Sequence, residues 1–207
     1  MSTPTRAADP LRHLALGDSY TIGEGVPEDS RWPMQLARQL RAEGMALEPP
    51  RLVAATGWTT DDLAAAMDAA QLAPAYDLVT LLIGVNNQYR GRSADDYIGE
   101  FRQLLGRAVT LAGDRPGRVV AVSIPDWGVT RFAREHGHDA AAIGAALDRF
   151  NALARAAAEA AGAAFVDITD LSREHPDELV EDGLHPDARQ YARWIERIAP
   201  AARRALR

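Results

Sequence analysis

Short apolar runs alternate along the chain with longer segments in which apolar residues recur every three to four positions. Runs at His13–Leu16, Arg51–Ala55, Leu78–Ile83, Arg118–Ile124 and Ala163–Asp167 have the length of strands, and all but the last end on glycine or proline or just before one. Between and after them, helical periodicity predicts helices over about residues 30–43, 60–72, 94–112, 139–161 and 186–205. Pro33 suits the first turn of a helix, and Gly44, Gly113 and Gly162 suit helix ends. Continuous apolar strands separated by helices describe a parallel sheet covered on both faces. The predicted fold is therefore α/β, a three-layer α/β/α sandwich with a five-stranded parallel sheet in flavodoxin-like strand order. In such a sheet ligands bind at the carboxyl ends of the strands. Residues 1–10 read as an N-terminal extension, and residues 11–207 as one domain, which suits a chain of 207 residues.

Composition narrows the chemistry. All 23 basic residues are arginine, which excludes lysine Schiff bases, Ser-Lys dyads and a P-loop lysine. There is no cysteine, hence no thiolate nucleophile, disulfide or iron–sulfur ligand. A net charge of -6 disfavours nucleic acid as a partner. Neither a signal peptide nor a membrane-spanning stretch is read from the sequence, so the expected location is cytoplasmic. The oligomeric state is not encoded in any pattern found.

Candidate chemistry sits where the fold predicts it. Ser19 follows the first strand in Gly17-Asp18-Ser19; alone, a serine in a glycine-rich turn is as well explained as a turn or helix cap. Near the C-terminus, Asp182 and His185 are three residues apart in Glu181-Asp182-Gly183-Leu184-His185-Pro186. A carboxylate so placed can orient an imidazole whose other nitrogen takes a proton from a serine. Asp187 lies closer to the ring in sequence, but past Pro186 its spacing is poorer. Two further strand ends offer Gly57, whose backbone N–H can face a ligand, and Asn86, whose side-chain amide can do so. Glycine also simply ends strands, and asparagine favours turns.

Taken in order, these blocks resemble the SGNH hydrolase superfamily, also called the GDSL esterases and lipases. The resemblance runs from about residue 11 to the C-terminus. It implies Ser19 as nucleophile, His185 as base oriented by Asp182, and an oxyanion hole of the Ser19 N–H, Gly57 and Asn86. No cofactor or metal is implied. Two positions depart from the family pattern: Tyr20 stands where leucine is usual, and Asn87 replaces the aspartate after the asparagine. The amide oxygen of Asn87 is expected to accept the hydrogen bonds that the acid normally accepts, so that restoring aspartate there should be tolerated.

After the fourth strand, Trp127 and Phe132 lie on a loop at the same sheet edge. They, with Asn87, are candidate substrate contacts; the competing reading is that both aromatics only cap the core. His136 and His138 are read as surface residues rather than ligands of a metal. The expected activity is hydrolysis of small or short-acyl carboxylic esters through an acyl-enzyme on Ser19. Alternatives with the same site are acyl transfer, or lysophospholipase or thioesterase action. Non-enzymatic alternatives are a flavodoxin-like or carbohydrate-binding module. Asp18 and Glu24 in the first turn argue against a bound flavin phosphate.

Overall fold

A computed structural model describes residues 9–207. The expected N-terminal extension therefore lies outside the described residues, apart from exposed Asp9 and Pro10. The chain joins the fold at Leu11, which bridges to Leu47.

In chain order the elements are β1 (His13–Gly17), α1 (Ser19–Ile22), α2 (Trp32–Ala42), β2 (Arg51–Ala54), α3 (Thr60–Ala69), β3 (Leu78–Leu82), α4 (Val85–Tyr89), α5 (Ala94–Leu111), β4 (Val119–Val122), α6 (Arg131–Glu135), α7 (Ala140–Ala160), β5 (Ala164–Val166), α8 (Thr169–Glu174) and α9 (Ala188–Ala205). All five strands are parallel, in the order β2-β1-β3-β4-β5. This is the expected three-layer α/β sandwich. Every residue of β1, β3 and β4 is buried, because helices cover both faces of the central strands and leave no side exposed to water. Edge strands β2 and β5 are only partly buried.

Helices α2 and α9 pack against each other, and α5 packs against α3 and α7. The seam between α2 and α9 follows from the helical period. Tyr191, Trp194, Ile195 and Ile198 recur at i, i+3, i+4 and i+7 on α9 and are fully or almost fully buried, as are Trp32, Leu36 and Leu40 on α2. Burying a side chain of this size stabilises by roughly 1.5–3 kcal/mol, so this seam holds the C-terminal helix, and the loop before it, firmly to the sheet.

The long helices end within a few residues of their predicted limits, and the differences have local causes. Asp139 and Asp187 were included in the predicted helices but are caps, accepting from the amides of Ala142, and of Arg189 and Gln190, respectively. Likewise α3 begins after a capping box in which Thr59 and Asp62 satisfy each other's backbone N–H groups. Four short helices, α1, α4, α6 and α8, were not predicted. Three of them stand at or just beyond the carboxyl end of a strand, and α1 and α4 carry site residues.

Candidate active site

Since all strands point the same way, the segments after β1, β2, β3 and β4 meet at one edge. Strand order reverses between β1 and β3, which opens a crevice there. Asp18 caps α1 by accepting the Tyr20 amide at 3.0 Å, so Ser19 becomes the first residue of a helix instead of lying in a flexible turn. As such, its own N–H has no acceptor within the helix. Asp18 is wholly buried, and burial, only partly offset by the amides of Tyr20 and Gly84, pushes its pKa up to about 7.

The loop before α9 brings an imidazole to that serine. His185 Nε2 lies 3.0 Å from Ser19 Oγ, and His185 Nδ1 lies 2.6 Å from Asp182 Oδ2. The other Asp182 oxygen accepts the amides of Leu184 at 2.8 Å and His185 at 3.0 Å. Burial works against charge on Asp182, but these hydrogen bonds outweigh it and hold its pKa below the usual carboxylate value. An ionised Asp182 requires the proton on Nδ1, which leaves Nε2 free to accept from Ser19 O–H. Asp187 does not reach the ring: it caps α9 and pairs with Arg189 at 2.7 Å.

The two other expected residues line the same cleft as the histidine. Gly57 has φ +84, a left-handed conformation that glycine adopts without strain. Asn86, in the first turn of α4, donates from Nδ2 to the Trp58 carbonyl at 2.9 Å, which leaves its second amide hydrogen unassigned. Both line a cleft of about 200 Å³ together with Ser19, His185, Trp127 and Phe132. Asn87 does not line it. This residue is fully buried; its Oδ1 accepts the Thr60 amide at 3.1 Å, and its Nδ2 donates to Thr60 Oγ1 at 2.6 Å and faces Glu100 Oε2 at 3.3 Å. The network thus already holds a carboxylate, supplied by α5.

A family described as GDSL-like lipase/acylhydrolase matches residues 15–193. The chain belongs to that family. No match is found among curated proteins. Among solved structures, the chain is similar to TesA, with a TM-score of 0.73 at 18% identity over 94% of this chain and 99% of that one. It is also similar to the psychrotrophic esterase EstA from Pseudoalteromonas sp. inhibited by monoethylphosphonate, with a TM-score of 0.71 at 16% identity over 94% and 98%. A third is the acetyl xylan esterase AlAXEase, with a TM-score of 0.71 at 18% identity over 92% and 99%. At such identities these likenesses establish the SGNH hydrolase fold.

Within this GDSL-like acylhydrolase, the aromatics after β4 serve both readings. Trp127 is almost fully buried, and its Nε1 donates to Gln88 Oε1 at 2.7 Å. That bond fixes the indole as a wall of the cleft. Phe132 also lines the cleft and stacks on His136 at 4.2 Å between ring centroids. His138 meets Trp127 edge-on at 5.0 Å. Tyr89, which sequence reasoning did not single out, completes the wall 5.3 Å from Trp127 and is half exposed. Also missed were Glu24, which accepts from Thr56 Oγ1, and Arg90, which donates to the Gly57 carbonyl at 2.7 Å. No helix among the described residues is long and apolar enough to cross a membrane.

Proposed function

We propose that the protein is a metal-independent serine hydrolase of small, short-acyl carboxylic esters. The observation that carries this reading is the unbroken line from Asp182 through His185 to Ser19 Oγ at hydrogen-bond distances. In the first step Ser19 Oγ bonds to the ester carbonyl carbon while His185 Nε2 takes the hydroxyl proton. Charge that develops on the carbonyl oxygen meets the N–H groups of Ser19 and Gly57 and the Asn86 side chain. The tetrahedral intermediate then expels the alcohol, which receives the proton from Nε2. Water adds to the acyl-enzyme through the same base, and collapse releases the carboxylic acid and returns the proton to Ser19.

The cleft supports a small substrate. At about 200 Å³ it falls below the roughly 300–1,000 Å³ of sites for drug-sized ligands, and Trp127 is tied in place as one of its walls. With that ring fixed, the cleft covers only a short acyl group, and the remainder of a longer chain would lie outside it and gain little from burial. Esterases of the same fold, including one inhibited by monoethylphosphonate, support ester chemistry. A panel of p-nitrophenyl esters from acetate to palmitate, with and without EDTA, tests the reading. Peak kcat/KM on acetate to butyrate, unchanged by EDTA, is expected. A peak on laurate or longer contradicts the short-acyl assignment, and loss of activity to EDTA contradicts the metal-independent mechanism.

A further inference from the structure

The turn after β3 grips the segment after β2 with four side chains. Asn86 holds the Trp58 carbonyl, Asn87 holds Thr60, and Arg92 pairs with Asp61 at 2.7 Å. Of the four, Arg90 alone is bonded to Gly57. Its Nη2 donates to the Gly57 carbonyl at 2.7 Å, and its Nη1 lies 3.9 Å from Asp62, the residue that accepts the Thr59 amide at the start of α3. On the other side of Gly57, the hydroxyl of Thr56 donates to the Glu24 carboxylate.

These contacts matter because little packs on the side of Gly57 where a side chain would stand. A Cβ built there would meet only Arg90 Nη2, at 3.9 Å. The turn that carries Gly57 is closed only by a long hydrogen bond from the Trp58 amide to the Ala55 carbonyl, at 3.4 Å, and a glycine with φ +84 resists rotation less than any other residue, so its N–H depends on further restraints. Holding its carbonyl from one side and Thr56 from the other restrains both rotations. The guanidinium also puts a positive charge close to the peptide. Half exposed, and with its carboxylate partner at 3.9 Å, Arg90 adds little to stability.

We propose that Arg90 is a positioning residue of the oxyanion hole, keeping the Gly57 N–H aimed at the developing negative charge. This rests on the reading of Gly57 as an oxyanion donor and of Ser19 as nucleophile.

The test compares Arg90→Ala, Arg90→Lys and Arg92→Ala with the wild type in two assays. One is steady-state hydrolysis of p-nitrophenyl acetate. The other is the rate at which a fluorophosphonate modifies Ser19, which places an oxyanion-like oxygen in the same hole and needs no natural substrate. Arg90→Ala should lower kcat and the phosphonylation rate by about tenfold, less than the roughly 10²- to 10³-fold cost of deleting a direct donor, with KM and Tm little changed. Guanidinium chloride at tens of millimolar should restore part of the lost rate in Arg90→Ala and should not accelerate the wild type. Arg90→Lys should fall between the two, and Arg92→Ala should stay near wild type.

Rates in Arg90→Ala within about twofold of wild type, or a change confined to KM, would overturn the proposal. So would an equal loss in Arg92→Ala, or a lowered Tm without rescue by guanidinium, since either marks a structural role. Failure of the underlying serine reading looks different, because wild type and variants would then be equally inert toward the phosphonate.

Discussion

Restoring the family's aspartate at position 87 should harm this protein. The expectation from sequence was that Asn87→Asp would be tolerated, but the Asn87 amide nitrogen lies 3.3 Å from Glu100 Oε2. Substitution therefore brings a second carboxylate against the first. Two unit charges about 4 Å apart repel by about 4 kcal/mol at an effective dielectric constant of ~20. Glu100 is about one-third exposed, and Arg92 lies 3.7 Å from it, so roughly half of that, about 2 kcal/mol, is a fair expectation once solvent and the arginine are counted. Losing the hydrogen bond donated to Thr60 adds about 1 kcal/mol. The total, about 3 kcal/mol, is a large part of the stability of an ordinary domain.

The penalty also has a signature in pH. A carboxylate forced beside another holds its proton more tightly folded than unfolded. The repulsive part of the cost is therefore absent below the unfolded pKa of about 4 and grows as pH rises. Urea unfolding followed by the fluorescence of the four tryptophans should show Asn87→Asp destabilised by no more than about 1 kcal/mol at about pH 4 and by about 3 kcal/mol at about pH 7.5. Adding Glu100→Gln should restore most of the loss. A destabilisation below about 0.5 kcal/mol at the higher pH, or no rescue by the second change, would refute the reasoning.

Asn86→Ala should lower kcat by about 10²- to 10³-fold with KM little changed, measured on p-nitrophenyl acetate; an effect on KM alone would make Asn86 a substrate contact. Because hydrogen bonds keep Asp182 ionised well below neutral pH, kcat/KM should rise with pH along a single ionisation as the base loses its proton. Asp182→Asn should lower the rate at every pH, on the order of 10²- to 10⁴-fold, and a variant that merely shifts the profile would contradict the orienting role. Asp18, with its pKa raised to about 7, contributes stability that is full below its unfolded pKa and is lost as pH rises to about 7, at most about 4 kcal/mol. Denaturation curves should accordingly show Asp18→Asn gaining on wild type between about pH 4 and pH 8, and a constant difference would sink the assignment.

The strands could be read from sequence because β1, β3 and β4 are buried on both faces and so appear as unbroken apolar runs. Long helices such as α7 and α9 were equally legible, with enough turns for the period to emerge. The short helices were not, since four to six residues do not complete two turns, and their only signals are caps such as Asp18. Ser19, Asp182 and His185 could be named because each lies in a distinctive local motif. The roles of Arg90, Glu24 and Glu100 could not. Each acts on a residue more than a dozen positions away, and no local pattern marks an arginine that will reach Gly57. One hint was present: an asparagine where the family has an aspartate invites a search for a neighbouring carboxylate, and Glu100 lies 3.3 Å from the Asn87 amide nitrogen.

The central claim is that Ser19 is the nucleophile, and covalent labelling tests it most directly. The protein is treated with a fluorophosphonate, cleaved after arginine and mapped by mass spectrometry. The added mass should appear on the peptide from His13 to Arg31, at Ser19, in parallel with loss of esterase activity, and Ser19→Ala should take up no label and show no hydrolysis. Label at another residue, or hydrolysis that persists in Ser19→Ala, would contradict the account.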